Sequence, residues 1–346
     1  MSEFERKRRL SKRDWVATNF ERAGLQALLQ RLPRRGHLVA LTYHRIGDPE
    51  TAVGDRGNFS ASQEEFALQL EFLKRHFEII GLDDLVDYTR GSHLNNASAI
   101  LITFDDGYLD NYQNAFPILK SFDLPAAFFL TTTFVGTNHM PWWDVIAENI
   151  LKAQRSNLRL EYPSAIDFSL VGEHRLQTIS SVLKLYKSPL NTDPNKFLSS
   201  VYRATDAAIK TTPERLFLNW QEAREMSASG MHFGSHTHSH QILGNLSLDQ
   251  QTYELEVSKT TLEANLDRKI NTVAYPDGLP GTFNENTILA LRSLGYQLGF
   301  ANYPGANKIG AMDPFFIKRM SIYNDLSGPL FRMRAIASGI SGNSVI

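Results

Sequence analysis

An α/β fold built on a mainly parallel sheet, open or closed into a barrel, is what this sequence predicts. Three observations lead there. Short apolar runs recur along the chain, amphipathic helical segments separate most of them, and residues able to do chemistry stand at the C-terminal ends of several runs. Parallel α/β folds gather their functional groups at such strand ends.

The first run, Leu38-Val39-Ala40-Leu41-Thr42-Tyr43, follows Pro33 and Gly36 and ends at His44. Ser62 and Glu65 then form a capping box, and Phe66, Leu70, Leu73 and Phe77 follow at helical spacing. Ile79-Ile80 and a short helix near 84–88 complete this unit. Ala99-Ile100-Leu101-Ile102-Thr103-Phe104 is a second buried strand, closed by Asp105-Asp106-Gly107, and a helix through 115–119 leads to a third at 126–130. Later strands are expected at 231–234, 272–275, 297–301 and 315–320. Helices are expected at 248–266, with Ser247 and Gln250 as capping box, and at 284–294. The stretch from about 141 to 217 breaks the alternation and reads as a helical insertion with no clear strand. The organisation is then a basic arm at 1–36 and one domain at 37–346 that carries this insertion.

Composition narrows the chemistry. The chain has 346 residues, 36 Lys+Arg against 37 Asp+Glu, ten histidines and no cysteine. The balanced charge argues against nucleic acid as a partner, which calls for a basic excess. Without cysteine there are no disulfides, thiolate metal sites or cysteine nucleophiles, so a metal would need His, Asp or Glu. Residues 1–36 hold ten Lys/Arg and four Asp/Glu, with loose apolar periodicity from Trp15 to Leu32. A basic amphipathic helix suits the surface of anionic lipid, whereas the plainer reading is a helix docked on the domain. No run reaches the roughly 18–20 apolar residues of a membrane span, and no secretory leader is evident, so a cytoplasmic location, at the inner membrane face if the arm binds lipid, is the expectation.

Two segments stand out. Asp105 and Asp106 are adjacent carboxylates at a buried strand end, costly unless something compensates them. A divalent cation would, with one Asp as ligand and the other free as a base; an ordinary Asp-Asp-Gly turn is the plain alternative. His236 and His240 are four apart and would share a metal if they stood on one helical turn, and His236 and His238 would suit a strand. One Asp and two His leave open positions on an ion, a catalytic pattern fit for metal-assisted hydrolysis of an amide or ester.

Thr103-Phe104-Asp105-Asp106-Gly107, followed by His236-Thr237-His238-Ser239-His240, resembles the polysaccharide deacetylases, carbohydrate esterase family four with its NodB-homology domain. Leu41-Thr42-Tyr43-His44-Arg45 resembles the opening of that family's exopolysaccharide-modifying branch. Ala274-Tyr275-Pro276-Asp277-Gly278 resembles the branch's third motif with Asp277 in place of Tyr, and Lys318-Arg319-Met320 its closing strand. The resemblance covers roughly 38–322, with the insertion poorly matched. It implies a distorted (β/α)7-type barrel. It implies Asp105 as general base, Asp106, His236 and His240 as ligands of a divalent metal, usually zinc (Zn2+), and Thr237 as the residue holding the metal loop. Backbone near Tyr275 is then a source of oxyanion donors. Two departures follow. Ala274 stands where many members carry the Arg that orients the base, so Arg319 or Arg45 takes that role. No late His is present, so His44 is the replacement acid. Tyr108 and Trp142 are candidates for the substrate border, with a hydrophobic anchor for the insertion as the plain reading of Trp142.

The function expected is metal-dependent removal of N-acetyl or O-acetyl groups from a polysaccharide, an oligosaccharide or a lipid-linked glycan. An amidase acting on a small non-sugar amide and an inactive carbohydrate-binding protein are the alternatives. The oligomeric state is not legible.

Overall fold

A computed structural model describes residues 12–24, 36–89, 98–188 and 190–341. Seven strands form its centre: β1 (His37–Tyr43), β2 (Ala99–Phe104), β3 (Ala127–Leu130), β4 (His232–Ser235), β5 (Thr272–Ala274), β6 (Leu298–Ala301) and β7 (Ile317–Ser321). Each pairs in parallel with the next, and β7 pairs in parallel with β1, so the sheet closes into a barrel. Closure resolves the choice between open sheet and barrel that the strand–helix alternation left open. The strand Glu78–Ile80 pairs with the lower part of β2, and Asn307–Lys308 runs antiparallel beside the start of β1.

Two buried clusters explain why these runs are apolar on both faces. Leu38, Ala40, Leu101, Phe129 and Phe300 fill the barrel interior. Val39, Leu41, Ile100, Ile102 and Phe128 face outward against helices, meeting Phe66 and Leu70 of Gln63–His76 and Leu255 and Leu262 of Leu248–Leu266. A strand covered on both sides reads as a continuous apolar run. Ser62–Glu65 and Ser247–Gln250 both form their capping boxes. Gly234 of β4 is fixed by the interior: a Cβ there would lie 2.4 Å from the Phe129 ring.

The first helix described, Lys12–Arg22, packs on the final helix, Gly328–Ser341. Ala17 joins the outer core, and Glu21 accepts two hydrogen bonds from Arg332, both 2.8 Å. This is the docked helix of the plainer reading. The Leu25–Leu32 part of the expected amphipathic pattern lies outside the described residues. No helix among the described residues is long and apolar enough to cross a membrane.

A second compact unit comprises residues 48–58 and 137–216. Its helices Trp142–Lys152, His174–Lys187 and Pro194–Thr205 enclose Ile146, Ile150, Val182, Phe197 and Val201. It is not purely helical, as the sequence reading had it: Asn157–Leu160 and Ile166–Ser169 form an antiparallel pair. The alternation of buried Leu158 and Leu160 with exposed neighbours was the signal for it. Residues 48–58, expected within the barrel domain, belong here. Buried Asp144 and Glu148 accept the N–H groups of Asp55 and Gly54 at 2.7 and 3.2 Å.

Candidate metal centre

Strand register builds the site. On β2, residues 99, 101 and 103 face the axis, and Asp105 is next on that face; on β1 the corresponding position is His44. The Asp105 N–H donates to the Tyr43 carbonyl at 3.0 Å, which extends the β1–β2 ladder one residue past the strand. The chain then turns left-handed, with φ 72° at Asp106 and 83° at Gly107. That turn separates the two carboxylates, so that each has its own partners. Left-handed backbone is uncommon for a residue with a side chain, and it gathers at functional sites.

Asp106 meets the histidines. Its Oδ1 lies 3.4 Å from His236 Nε2 and 3.3 Å from His240 Nε2. His236 continues β4, its N–H donating to the Leu130 carbonyl at 2.9 Å. Its Nδ1 lies 2.8 Å from the Ala274 carbonyl and donates to it, which leaves the Nε2 lone pair aimed at the cluster. The four-residue spacing of the histidines is not that of a helical turn. Residues 236–240 form a loop in which Thr237 (φ 64°) and His240 (φ 58°) are left-handed. Thr237 Oγ1 accepts the His240 N–H at 3.1 Å, and its carbonyl accepts the Thr132 N–H at 3.3 Å. Glu254 accepts the Ser239 N–H and hydroxyl at 2.8 and 2.6 Å. The loop is therefore anchored at both ends, with the Thr237 hydroxyl bonded to the His240 peptide.

Electrostatics separates the acids further. Burial pushes the Asp105 carboxyl up, but the adjacent Arg319 charge, with His236 and His44, more than offsets it, and the carboxyl ends below its ordinary range. Asp106 is also pushed up by burial and then held well below its ordinary range by the adjacent His236 and His240 imidazoles. Burial pushes both imidazoles down; the Asp105 and Asp106 charges reverse this at His236 and not at His240.

These residues fit a divalent cation. Asp106, His236 and His240 each offer one ligand atom, all within 4.8 Å of one another. Ligands about 2.1 Å from one ion at tetrahedral angles stand about 3.4 Å apart, the spacing found from Asp106 to each histidine. Three protein ligands leave room for water or substrate.

Asp105 is held differently. Arg319 of β7 is fully buried and donates from Nη1 to Oδ1 and from Nη2 to Oδ2, both 2.8 Å. Arg319, and not Arg45, grips Asp105. Arg45 instead donates to Asp110 at 2.8 Å. Tyr108 is fully buried, with its ring stacked on Phe217 and beneath Arg45, so it supports the site's flank and offers substrate no face. Tyr275 is also core: its hydroxyl donates to the Phe315 carbonyl at 2.8 Å, and its N–H donates to the Phe300 carbonyl at 3.0 Å. Trp142 lies in the second unit and stacks on Tyr186 with ring centroids 4.0 Å apart, as an anchor would. Sequence reasoning missed Asp110, Asn111 and Asn114, which follow the Asp-Asp-Gly turn and bond the segment carrying His44. Their polarity along a helix entering the core was the available signal.

The chain is 24% identical over 207 residues to the Bacillus subtilis (strain 168) protein YxkH, a match covering 60% of this chain and 46% of that one. It is 31% identical over 124 residues to the Staphylococcus aureus poly-beta-1,6-N-acetyl-D-glucosamine N-deacetylase, covering 33% of this chain and 42% of the enzyme. Both matches thus take in less than half of the relative. The fold is that of the Streptococcus pyogenes deacetylase PplD (TM-score 0.56, 20% identity, 88% of this chain and 98% of the other). IcaB from Ammonifex degensii shares it as well (TM-score 0.56, 21% identity, 88% and 97%). The family model for polysaccharide deacetylase matches residues 94–299. That match spans more than half of the chain and takes in Asp105, Asp106, His236 and His240, so the chain belongs to the polysaccharide deacetylase family.

Proposed function

We propose that the protein hydrolyses N-acetyl groups on an amino-sugar glycan, with zinc as its resident cation. The observation that carries this is the separation of two adjacent carboxylates, Asp106 to the histidines and Asp105 to Arg319. Zinc held by Asp106, His236 and His240 would supply Lewis acidity, lowering the pKa of a water and polarising the acetyl carbonyl. Asp105, kept ionised by Arg319, takes the proton of the attacking water as oxygen adds to the carbonyl carbon. Arg319 occupies both Asp105 oxygens in a bidentate grip, which fixes the carboxylate's orientation. His44, beside Asp105 at the next strand end, donates a proton to the nitrogen as the C–N bond breaks. Acetate and a free amine leave, and the proton on Asp105 passes to solvent as His44 regains one.

The names of similar proteins support the substrate class. One relative is named for N-deacetylation of poly-beta-1,6-N-acetyl-D-glucosamine, and the PplD structure holds acetate, the expected product. The complete Asp105, Asp106, His236 and His240 set counts against an inactive sugar-binding protein. The test is acetate release from a panel of N- and O-acetylated sugars, glycan oligomers and small amides, with zinc, cobalt and chelator arms. Release from N-acetylated glycans that ceases with chelator and returns with zinc is expected. Release from small non-sugar amides alone would overturn the substrate class.

A further inference from the structure

The stretch that carries Asp105 and Asp106 continues through Asp110 into a π-helical turn, Asn111–Ala115. Side chains from it converge on residues 44–46, where the chain has left the barrel ladder. Asn111 Nδ2 donates to the His44 carbonyl at 2.7 Å. Asp110 Oδ1 accepts the Ile46 N–H at 3.2 Å, and Oδ2 accepts Arg45 Nε–H at 2.8 Å. Asn114 Nδ2 donates to the Ile46 carbonyl at 2.7 Å. From the other side, Ser60 Oγ accepts the His44 N–H at 3.0 Å. The Arg45 guanidinium lies between the rings of Phe59 and Tyr108, 4.3 and 4.5 Å from their centroids.

Main-chain groups that leave a sheet need partners, and water would serve at an open strand end. Here Arg45–Ile46 pairs in parallel with Phe59–Ala61, and buried or half-buried side chains take the groups named above. Asn111 is fully buried, and burial holds the Asp110 carboxyl above its ordinary range even with Arg45 beside it. Withdrawing a carboxylate and two amides from water to satisfy three peptide groups is costly if the only need is hydrogen bonding. It does fix one backbone segment against another: residues 105–114 carry Asp105 and Asp106, and residues 44–46 carry His44.

We propose that Asp110, Asn111 and Asn114 are positioning residues for His44, locking its peptide to the stretch that bears Asp105 so that its imidazole meets the leaving nitrogen. This rests on the reading of His44 as the acid. Misplacing a catalytic group by about 1 Å costs on the order of a hundredfold, and losing a general acid costs roughly 10²–10⁴-fold.

The leaving group separates positioning from mere structure. An amine leaves only with a proton, whereas 4-nitrophenolate departs without one. Zinc-loaded wild type, His44→Ala, Asp110→Asn, Asn111→Ala and Asn114→Ala are assayed on an N-acetylglucosamine oligomer and on 4-nitrophenyl acetate, with zinc content measured. His44→Ala should lose roughly a hundredfold or more in kcat on the amide. The other three should lose about tenfold or more. KM, zinc content and ester turnover should stay within about twofold of wild type throughout. Parallel loss of amide and ester turnover in the Asp110, Asn111 and Asn114 variants, or loss of zinc, would show a structural role and overturn the proposal. Unchanged amide turnover in these three, with His44→Ala selectively impaired, would overturn it and leave the acid assignment standing. Full amide turnover in His44→Ala would overturn the acid assignment, and the positioning role with it. Asn114 sits at the outer end of the bracket, so its variant reads the same contrast if Asn111→Ala fails to fold.

Discussion

At the scale of single residues, the site depends on two neighbouring carboxylates with unlike surroundings. Arg319→Met removes the partner of a fully buried carboxylate. Breaking such a pair leaves an uncompensated charge, a loss of about 3–5 kcal/mol. Denaturant unfolding should show that loss, and kcat should fall while the zinc content holds, because the cation's ligands are untouched. Arg319→Lys keeps the charge and loses the two-pronged grip, so its kcat should lie between wild type and Arg319→Met. His240→Ala and His236→Ala should behave oppositely, losing zinc, as read by metal analysis, before they lose fold. The roles of Asp105 and Asp106 were not separable from the pentapeptide alone. The left-handed turn at Asp106 separates them, and it depends on how β2 emerges beside β1.

At the scale of elements, interior packing holds the metal loop. Gly234 stands two residues before His236 on the same interior face, and the Phe129 ring occupies the space of any Cβ. Gly234→Ala should destabilise by about 1–3 kcal/mol through overpacking, and it should weaken zinc affinity by shifting His236. Ser62→Ala removes a cap far from the chemistry and should cost about 1 kcal/mol with kcat unchanged. Thermal unfolding and steady-state kinetics on the two variants separate these effects. Most barrel strands and the capped helices were legible because local signals and tertiary packing agree there. Doubly covered strands are apolar throughout, and capping boxes are spelled out in four residues. The spacing of His236 and His240 pointed to a shared cluster but not to its backbone, because a four-residue repeat is shared by a helical turn and by a loop that bends through two left-handed residues. Nothing local distinguishes the two. Tyr108 misled for a related reason: adjacency to a motif in sequence does not say which face of the sheet a ring takes.

At the scale of the whole molecule, the closed barrel brings Asp105, His236 and Arg319 together from strands far apart in sequence. Only closure between β1 and β7 places Arg319 beneath Asp105. No local pattern reports a contact across 214 residues of chain. Metal binding to this preformed cluster should couple to global stability. Chelation should lower Tm, and zinc should restore it in a concentration-dependent way, since a ligand that binds only the folded state stabilises it by mass action. Calorimetric scans with and without chelator check this. An unchanged Tm at saturating zinc would contradict a site built from Asp106, His236 and His240.

The central claim is that Asp105 serves as base beside a cation held by Asp106 and the two histidines. The most direct test measures acetate and free amine released from an N-acetylglucosamine oligomer by zinc-loaded wild type and by zinc-loaded Asp105→Asn. Equal zinc content is expected in the two proteins. Equal amounts of acetate and amine are expected from wild type, and turnover slower by roughly 10²–10⁴-fold in the variant. Equal turnover in the two proteins, or no release by zinc-loaded wild type from any N-acetylated glycan, would contradict the claim.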